Sequence, residues 1–352
     1  MSDVLADSAM RLFALHGGAE VLRAADAGAW PAGLWAAVEE AGFLAALLPE
    51  AAGGFGATVQ EAMGLVRVAA GHAAPIPLAE TMLAGWLLVQ AGLEVGNGPA
   101  TIGPATIKPG RAGERLSARR DGAGWRLTGT VRRAPWGRMA RLVVVAEAEG
   151  GAVVADLGVG AGDVTHGANL AGEPRDTVVI DRLVAAEAVG LADIGEGELQ
   201  AAGAVLRTNQ IAGALGRVLA LTSGYVQMRV QFGRALGKFQ AVQQSMAVLA
   251  GQVAAAQAAA DLAADAFADG MSPVVIGAAK GRAGEAASVA AGIAHQMHGA
   301  IGFTQEYELQ RLTRRLWSWR DEFGNESEWF RVVGRAAFAA GADGLWPMMT
   351  AA

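Results

Sequence analysis

The first 97 residues carry apolar side chains at the spacing of amphipathic helices. Apolar positions recur every three or four residues in residues 34–48 and again in residues 59–70, which predicts a helix in each stretch. Pro49 and the glycines that follow it break the pattern between the two, and a third helix is expected around Trp86. We therefore expect residues 1–97 to form a helical domain.

The hydrophobic period changes from that of helices to that of strands after residue 97. Short runs rich in valine, isoleucine and threonine follow one another, and turn residues separate them. The clearest runs are GWRLTGTV, ARLVVVAEA, GAVVADL and DTVVIDRLV. They predict a small β-domain of six to eight strands over residues 98–190.

Long alanine-rich amphipathic segments dominate residues 191–352. Three of them span residues 199–229, 239–269 and 274–298, with only short breaks between them, and a last helix is expected over residues 326–340. Long helices joined by short connections favour an up-down antiparallel bundle. The predicted fold class is therefore α with a small inserted β-domain.

The composition narrows the chemistry that the chain can perform. Of 352 residues, 53% are hydrophobic and none is cysteine, so disulfides, thiolate catalysis and Fe–S clusters are excluded. The net charge of -6 gives no basic excess, and no nucleic-acid partner is predicted. The long charge-free stretches contain glutamine, serine and glycine, which favours buried helices over membrane spans. Without a basic region that would open an export signal, a cytoplasmic protein is expected.

The stretch RVQFGRALGKFQAVQ, which begins at Arg229, has residue types suited to a dinucleotide diphosphate. Arg229 offers a planar fork of donors, and the helix that restarts near residue 239 presents free backbone N–H groups. Phe232 could lie against an adenine, and Gln240 could bond a ribose or phosphate. The alternative is an ordinary helical turn in which Arg229 forms a salt bridge and Phe232 belongs to the core.

A second stretch, QMHGAIGF from Gln296, ends a helix in a turn of small residues. Such a turn lets a ligand approach the backbone closely, and the alternative is a simple helix C-cap. His295 and His298 lie three residues apart on this helix, but no third ligand is evident nearby, so no metal site is predicted.

A third stretch, residues 311–330, is dense in charges of both signs and in tryptophan. These charges favour a salt-bridged, solvated loop, and the tryptophans favour packing over cofactor binding. Asn325 or Ser327 is expected to cap the last helix.

Taken in order, these stretches resemble the acyl-CoA dehydrogenase family. RVQFGRALGKFQAVQ is similar to that family's Arg-x-x-Phe-Gly…Phe-Gln-x-x-Gln signature, and QMHGAIGF followed by Arg311 to its Gln-x-x-Gly-Gly-x-Gly-Tyr signature. WAAVEEAGFLAALLPEAAGGFG and GWRLTGTV resemble two further family motifs. The resemblance implies an N-terminal helical domain, a middle β-barrel or sandwich and a C-terminal four-helix bundle. It also implies FAD as cofactor and α,β-dehydrogenation of an acyl-CoA thioester.

The resemblance also assigns cofactor contacts by position. Those expected on the ADP part of FAD are Arg229, Gln231, Phe232 and Gln240. Those expected on its diphosphate side are Gln296, Gly299 and Ala300. Asn325 occupies the place of a threonine that contacts the flavin in the family.

The chain departs from the family where a catalytic base is expected. Most members have a glutamate where this chain has Phe323, and a minority place the base where this chain has Leu206. Neither side chain can take a proton, which leaves Glu322 and Glu326, offset along the turn, as candidates. The family's Thr-Glu-Pro…Gly-Ser-Asp segment, which contacts the flavin ring, has no counterpart between residues 96 and 124, and its Trp-Ile-Thr-Asn strand is replaced by residues 133–136.

These losses resemble the short subunits of heteromeric acyl-CoA dehydrogenases, notably those of bacterial steroid breakdown. The implied function is an acyl-CoA dehydrogenase subunit that needs a related subunit for the catalytic base. A sterol-derived CoA thioester is the implied substrate, and electron-transfer flavoprotein is the implied acceptor. Two alternatives stay open: a self-sufficient homo-oligomeric dehydrogenase or oxidase with an atypical base, and a flavin-free structural homologue.

Overall fold

The computed structural model describes residues 2–103 and 115–350, and these fold into two compact units. Unit 1 comprises Met1–Leu65 and Pro75–Gly203, and unit 2 comprises Val66–Ala74 and Ala204–Ala352. The division into domains 1–97, 98–190 and 191–352 stays a prediction. Part of the region between residues 96 and 124, in which the sequence lacks a family motif, lies outside the described residues.

Short helices form the first part of unit 1. They are α1 (Ser2–His16), α2 (Ala19–Asp26), α3 (Ala32–Glu40), α4 (Val59–Gly71) and α5 (Leu78–Gln90), and the last turns of α4 belong to unit 2. α5 is the most apolar of them and is buried along most of its length. Its burial supplies the hydrophobic free energy that holds this part of the chain together.

The helix predicted over residues 34–48 is wrong in its second half. α3 ends at Glu40, and residues Phe43–Ala45 form a single 3-10 turn. Gly42 lies between them with a φ of 71°, a left-handed conformation that an α-helix cannot contain. The hydrophobic period continues through the break because both segments pack with the same core.

The strands of unit 1 form one twisted sheet. They are β1 (Ala100–Ile102), β2 (Ser117–Asp121), β3 (Gly124–Pro135), β4 (Arg141–Ala148), β5 (Gly151–Asp156), β6 (Asp163–Thr165), β7 (Arg175–Val184) and β8 (Val189–Ala192). Their order is β6-β7-β3-β2-β4-β5-β8, and β1 pairs parallel with β4. One face is apolar and closes over a core that includes Leu127, Val144 and Val178.

Unit 2 is a bundle of long helices. In chain order it contains most of α6 (Glu196–Met228), the hairpin strands β9 (Val230–Gln231) and β10 (Arg234–Ala235), and helices α7 (Gln240–Ala268), α8 (Pro273–His298), α9 (Leu309–Asp321) and α10 (Glu326–Thr350). α8 packs against α7, α9 and α10. Alanine fills much of the core, and its small side chain lets the helix axes approach closely.

The last helix extends beyond the predicted residue 340. α10 reaches Thr350 but contains Gly341 at a φ of 68°, so two helical segments meet at a kink. The glycine, which the sequence suggested as an end, changes the direction of the helix instead.

Among the described residues, α7 is the one helix long and apolar enough to cross a membrane by length and composition. A helix of a bundle passes the same test, so this finding alone is weak evidence for a membrane span. The cytoplasmic location stays a prediction.

Candidate functional site

The first signature stretch forms a tight hairpin between α6 and α7. Its two turn residues, Phe232 and Gly233, have φ values of 52° and 77°, and positive φ at both positions is what a type I′ turn requires. A bulky residue is strained in this region. The Phe232 side chain is nevertheless 90% exposed, so burial within this chain does not offset that strain. The hairpin presents an aromatic ring to the outside.

Arg229 lies directly before this hairpin with an exposed side chain. Its backbone N–H donates to the Tyr225 carbonyl at 2.8 Å and so continues the last turn of α6. No carboxylate within the described ranges pairs with its guanidinium. The structure therefore has neither the salt-bridged Arg229 nor the buried Phe232 of the alternative interpretation.

α7 begins immediately after the hairpin without a side-chain cap. Phe239 occupies the N-cap position and makes no side-chain hydrogen bond there, which leaves first-turn N–H groups open to an acceptor from outside. Gln240, the first residue of α7, and Gln231 of β9 are both exposed. The predicted contacts of the ADP group thus lie on one exposed segment of 12 residues from Arg229 to Gln240.

The second signature stretch lies next to the first because the ends of α6 and α8 touch. The ring of His298, the last residue of α8, stacks on Tyr225 with centroids 4.4 Å apart. Arg229 lies one helical turn beyond Tyr225, and Gly299 follows His298 directly. Gln296, Gly299 and Ala300 are exposed, and Gly299 has a φ of 63°. The structure therefore brings the two predicted groups to the same end of unit 2.

The two histidines of α8 are held by internal hydrogen bonds. His298 donates from Nδ1 to the Ala294 carbonyl at 2.8 Å, so its neutral form accepts at Nε2 from the Tyr307 hydroxyl, 3.1 Å away. His295 bonds Thr313 at 2.8 Å. Burial lowers the pKa of both rings, which keeps them uncharged at neutral pH. In the part of the chain that the structure describes, no group of three ligating side chains could hold a metal.

The side chains at the two positions of the missing base are apolar and buried. Phe323, in the connection between α9 and α10, is 4% exposed, and Leu206 on α6 is 1% exposed. Arg207 donates from Nε to Glu322 at 2.8 Å, and both side chains are buried. The same guanidinium lies 5.4 Å from the centroid of the Phe323 ring. The carboxylate of Glu322, next to Phe323, is thus neutralised by Arg207, next to Leu206.

Asn325 and Glu326 also have structural partners. Asn325 accepts the Glu328 N–H at its side-chain oxygen, and the Glu328 carboxylate accepts the Asn325 N–H, both at 3.1 Å. This reciprocal pair is a capping box that starts α10. Glu326 lies 3.4 Å from the Arg320 guanidinium. Asn325 therefore keeps only its amide NH2 group for any contact with a ligand.

In unit 1, the segment that replaces the family's Trp-Ile-Thr-Asn strand begins at a bulge in β3. The pairing register between β3 and β7 shifts between Val131 and Ala134, and Arg133 has a φ of 57°. Trp136 is 5% exposed, and the Arg175 guanidinium lies 5.2 Å from its ring centroid. This tryptophan belongs to the interior of unit 1.

Two buried cations of unit 2 lie outside the stretches that the sequence singled out. Arg207 is one, and the other is Lys280 of α8, which is 1% exposed and donates to the carbonyls of Arg320 and Gly324. Neither belongs to a motif. The available signal was a cation within a helical stretch that is otherwise mostly apolar.

Comparison with known proteins identifies the family. Residues 201–326 match the C-terminal domain of acyl-CoA dehydrogenases. The chain is 29% identical over 326 residues to the acyl-CoA dehydrogenase IpdE2 of Mycobacterium tuberculosis, with 89% of each chain covered. Residues 201–326 thus carry the C-terminal domain of the acyl-CoA dehydrogenase family, and the rest of the chain resembles that family. The resemblance stated from the sequence is thereby confirmed, and members of this family are oxidoreductases that act on CH–CH groups of acyl-CoA and typically bind FAD.

Solved structures of acyl-CoA dehydrogenases share the fold of this chain. A Tcur3481–Tcur3483 steroid ACAD variant superposes with a TM-score of 0.85 at 25% identity and covers 97% of this chain and 99% of its own. The ChsE4–ChsE5 complex from Mycobacterium tuberculosis gives a TM-score of 0.84 at 24% identity, with 96% and 97% covered. The predicted fold class, α with an inserted β-domain of the acyl-CoA dehydrogenase type, is confirmed.

Proposed function

We propose that this chain is one subunit of a heteromeric, FAD-dependent acyl-CoA dehydrogenase and that a related subunit supplies the catalytic base. The observation that carries the proposal is that buried apolar side chains, Phe323 and Leu206, occupy both positions at which the family has a base. Glu322 is held in a buried ion pair with Arg207, and protonating it would remove the negative charge that balances the buried guanidinium, at a cost of several kcal/mol. The α-proton of a substrate therefore has no acceptor at either of these positions.

The exposed hairpin supports a role in holding the ADP part of FAD. Arg229 offers a guanidinium that no carboxylate of residues 2–103 or 115–350 pairs with, Phe232 offers an exposed ring, and α7 has an uncapped N-terminus. These are a charge-assisted donor, a stacking surface and backbone donors, which together fit an adenine dinucleotide. When bound, FAD supplies the acceptor for the hydride that leaves the β-carbon.

The two candidate regions of unit 2 contact α8 at well-separated positions. Lys280 touches Gly324 near one end of this helix, and Gly299 follows its other end. At 1.5 Å per residue the two positions are about 28 Å apart along the axis. This separation fits what the family resemblance implies, in which the hairpin meets the ADP part of an FAD held by a neighbouring subunit, and we place the flavin end of a second FAD at the α9–α10 connection.

Exposed apolar side chains support the need for a second subunit. Phe232, Phe338 and Trp346 are 90%, 91% and 71% exposed, and large exposed aromatic surface in one unit is typical of an interface. Two of the structurally similar proteins are named as pairs of chains, ChsE4–ChsE5 and Tcur3481–Tcur3483. By analogy with the second, whose name describes a steroid enzyme, we propose a bulky sterol-derived CoA thioester as substrate. Electron-transfer flavoprotein is the proposed electron acceptor.

The test is to purify the chain alone and after co-expression with each related acyl-CoA dehydrogenase chain of its source. Flavin absorbance and acyl-CoA oxidation should appear only in a mixed complex. A yellow homo-oligomer that oxidises acyl-CoA would contradict the proposal. A colourless protein in every combination would instead favour the flavin-free homologue.

Arg229→Ala tests the assignment of the hairpin. Losing a charge-assisted bond of about 1.5–3 kcal/mol should weaken FAD retention by the mixed complex about 10- to 100-fold. The measurement is FAD released on dilution, read by flavin fluorescence. Arg23→Ala, an exposed arginine of α2, is the matched control and should retain wild-type FAD content. Equal retention in both variants would remove Arg229 from the site.

A further inference from the structure

A buried lysine holds the connection between α9 and α10. The ammonium of Lys280 donates to the carbonyl oxygens of Arg320 at 2.7 Å and Gly324 at 2.8 Å. The first carbonyl lies in the last turn of α9, where backbone acceptors have no partner within the helix. The second lies in the middle of the connection. One side chain from α8 therefore joins the end of one helix to the turn that leads into the next.

This turn has a strained backbone. Phe323 and Gly324 are consecutive residues at φ values of 54° and 93°. A phenylalanine in the left-handed region persists only where its surroundings fix it, and such positions cluster at functional sites. The Trp329 indole donates to the Phe323 carbonyl at 2.8 Å, and Lys280 fixes the next carbonyl along the chain.

The site is built for an ammonium group. Only three of the 28 lysines and arginines are lysine, yet lysine stands at this buried position. An ammonium is a compact donor that can reach two carbonyls from a narrow space, whereas a guanidinium is broad and planar. The α8 surface beside it is lined by Gly281 and Gly284, where an added Cβ would overlap Phe330 and Glu326 of α10. These glycines let α10 approach Lys280 closely.

The charges around Lys280 support its retention in the interior. Burial lowers its pKa to about 8, while Glu326, Asp321 and Glu322 raise it and Arg207 lowers it further. The net result is a lysine that still carries its charge at neutral pH and remains a donor when it loses that charge.

We propose that Lys280 is a positioning residue for the substrate and flavin side of the site. It touches neither ligand, and it fixes the Gly324 carbonyl so that Phe323 and Asn325 on either side keep their orientation. The backbone part of this inference stands on the contacts alone. The part that concerns ligands rests on the proposed function, in which the α9–α10 connection faces a flavin.

Hydrogen exchange tests the backbone part in the protein as it exists, with its partner bound. Lys280→Met removes both donated bonds, and amide exchange at residues 322–326 should become at least about tenfold faster, which is one lost contact of about 1.4 kcal/mol. Amides of the β9–β10 hairpin should keep wild-type rates. Arg282→Met removes a more exposed cation two residues away on α8 and should leave the connection unchanged.

If Lys280→Met fails to fold, Lys280→Arg keeps the charge, changes the donor geometry and should give the same local acceleration. Unchanged exchange at residues 322–326 in a folded variant of either kind would overturn the proposal. The flavin absorbance maximum of the mixed complex distinguishes the effect of Lys280 on the backbone from its effect on the bound flavin. Faster exchange with an unshifted flavin spectrum would keep Lys280 as the support of the turn and remove the turn from the coenzyme.

Discussion

The interior of unit 2 contains buried charged residues, although most of its side chains are apolar. Arg207 and Lys280 are 0% and 1% exposed, and each has carboxylates or carbonyls as partners. Such groups cost free energy to bury and contribute by fixing one arrangement of the helices. The free-energy cost of burying the charge of Lys280 can be measured, because that charge depends on pH.

We expect Lys280 to make stability rise with pH in the alkaline range. Its folded pKa of about 8 lies below the ordinary value of 10.5, so the unfolded chain binds more protons between these values. The destabilising contribution is therefore complete below pH 8 and disappears as the pH rises towards 10.5. The difference in unfolding free energy between wild type and Lys280→Met should change by about 3 kcal/mol over this window.

Urea unfolding at a series of pH values measures this difference. Arg282→Met should follow the wild-type profile because an arginine keeps its charge in this range. Parallel profiles for wild type and Lys280→Met would mean that the buried lysine does not titrate as proposed.

At the scale of elements, α8 organises unit 2. It packs against α7, α9 and α10, reaches the hairpin end through His298, and reaches the α9–α10 connection through Lys280. Where α8 contacts α10 it has glycines, because larger side chains there would overlap residues of α10. An overlap there should displace α10, whereas an added methyl group on an open part of the helix should not.

Gly281→Ala should therefore destabilise the protein by about 1–3 kcal/mol, because a methyl group would overlap the Phe330 ring. Gly292→Ala lies on the same helix with no heavy atom within 4 Å of the added Cβ, and it should stabilise by up to about 1 kcal/mol through helix propensity. Thermal unfolding of the two variants provides the comparison. Equal shifts would show that α10 does not press on Gly281.

At the scale of the whole molecule, the chain has exposed surface that a single subunit does not explain. α7 is apolar enough to pass as a membrane span, yet only 33% of its most apolar window is buried. In α10, Phe338 and Trp346 are exposed on either side of the Gly341 kink. We attribute this surface to contacts with other subunits of the assembly.

Replacing both aromatic residues, Phe338→Ser with Trp346→Ser, should weaken the mixed complex without unfolding the chain. Each side chain is mostly exposed, so the urea midpoint of the isolated chain should stay within about 0.5 kcal/mol of wild type. Sedimentation velocity at several concentrations measures assembly. Glu149→Ser, an exposed position in the turn between β4 and β5, is the control and should leave assembly unchanged. A mixed complex of unchanged affinity in the double variant would move the interface elsewhere.

The sequence predicted the regular elements well where local period and breaks agree. The helices expected over residues 239–269 and 274–298 are observed at Gln240–Ala268 and Pro273–His298. The expectation failed at Gly42 and Gly341, because a glycine inside a hydrophobic pattern can end a helix or bend it. For the site, sequence motifs singled out the hairpin and the end of α8, but their roles as cofactor contacts stay predictions.

The sequence by itself determined the family, the order of helical and β-rich regions, and the absence of a carboxylate at Phe323 and Leu206. These follow from residue identity and from local period, which need no knowledge of distant contacts. Only the tertiary structure decided that Glu322 pairs with Arg207, 115 positions away, and that Lys280 binds the Gly324 carbonyl, 44 positions away. Such contacts depend on how helices pack against one another, and side-chain packing at that range leaves no periodic signal in the chain.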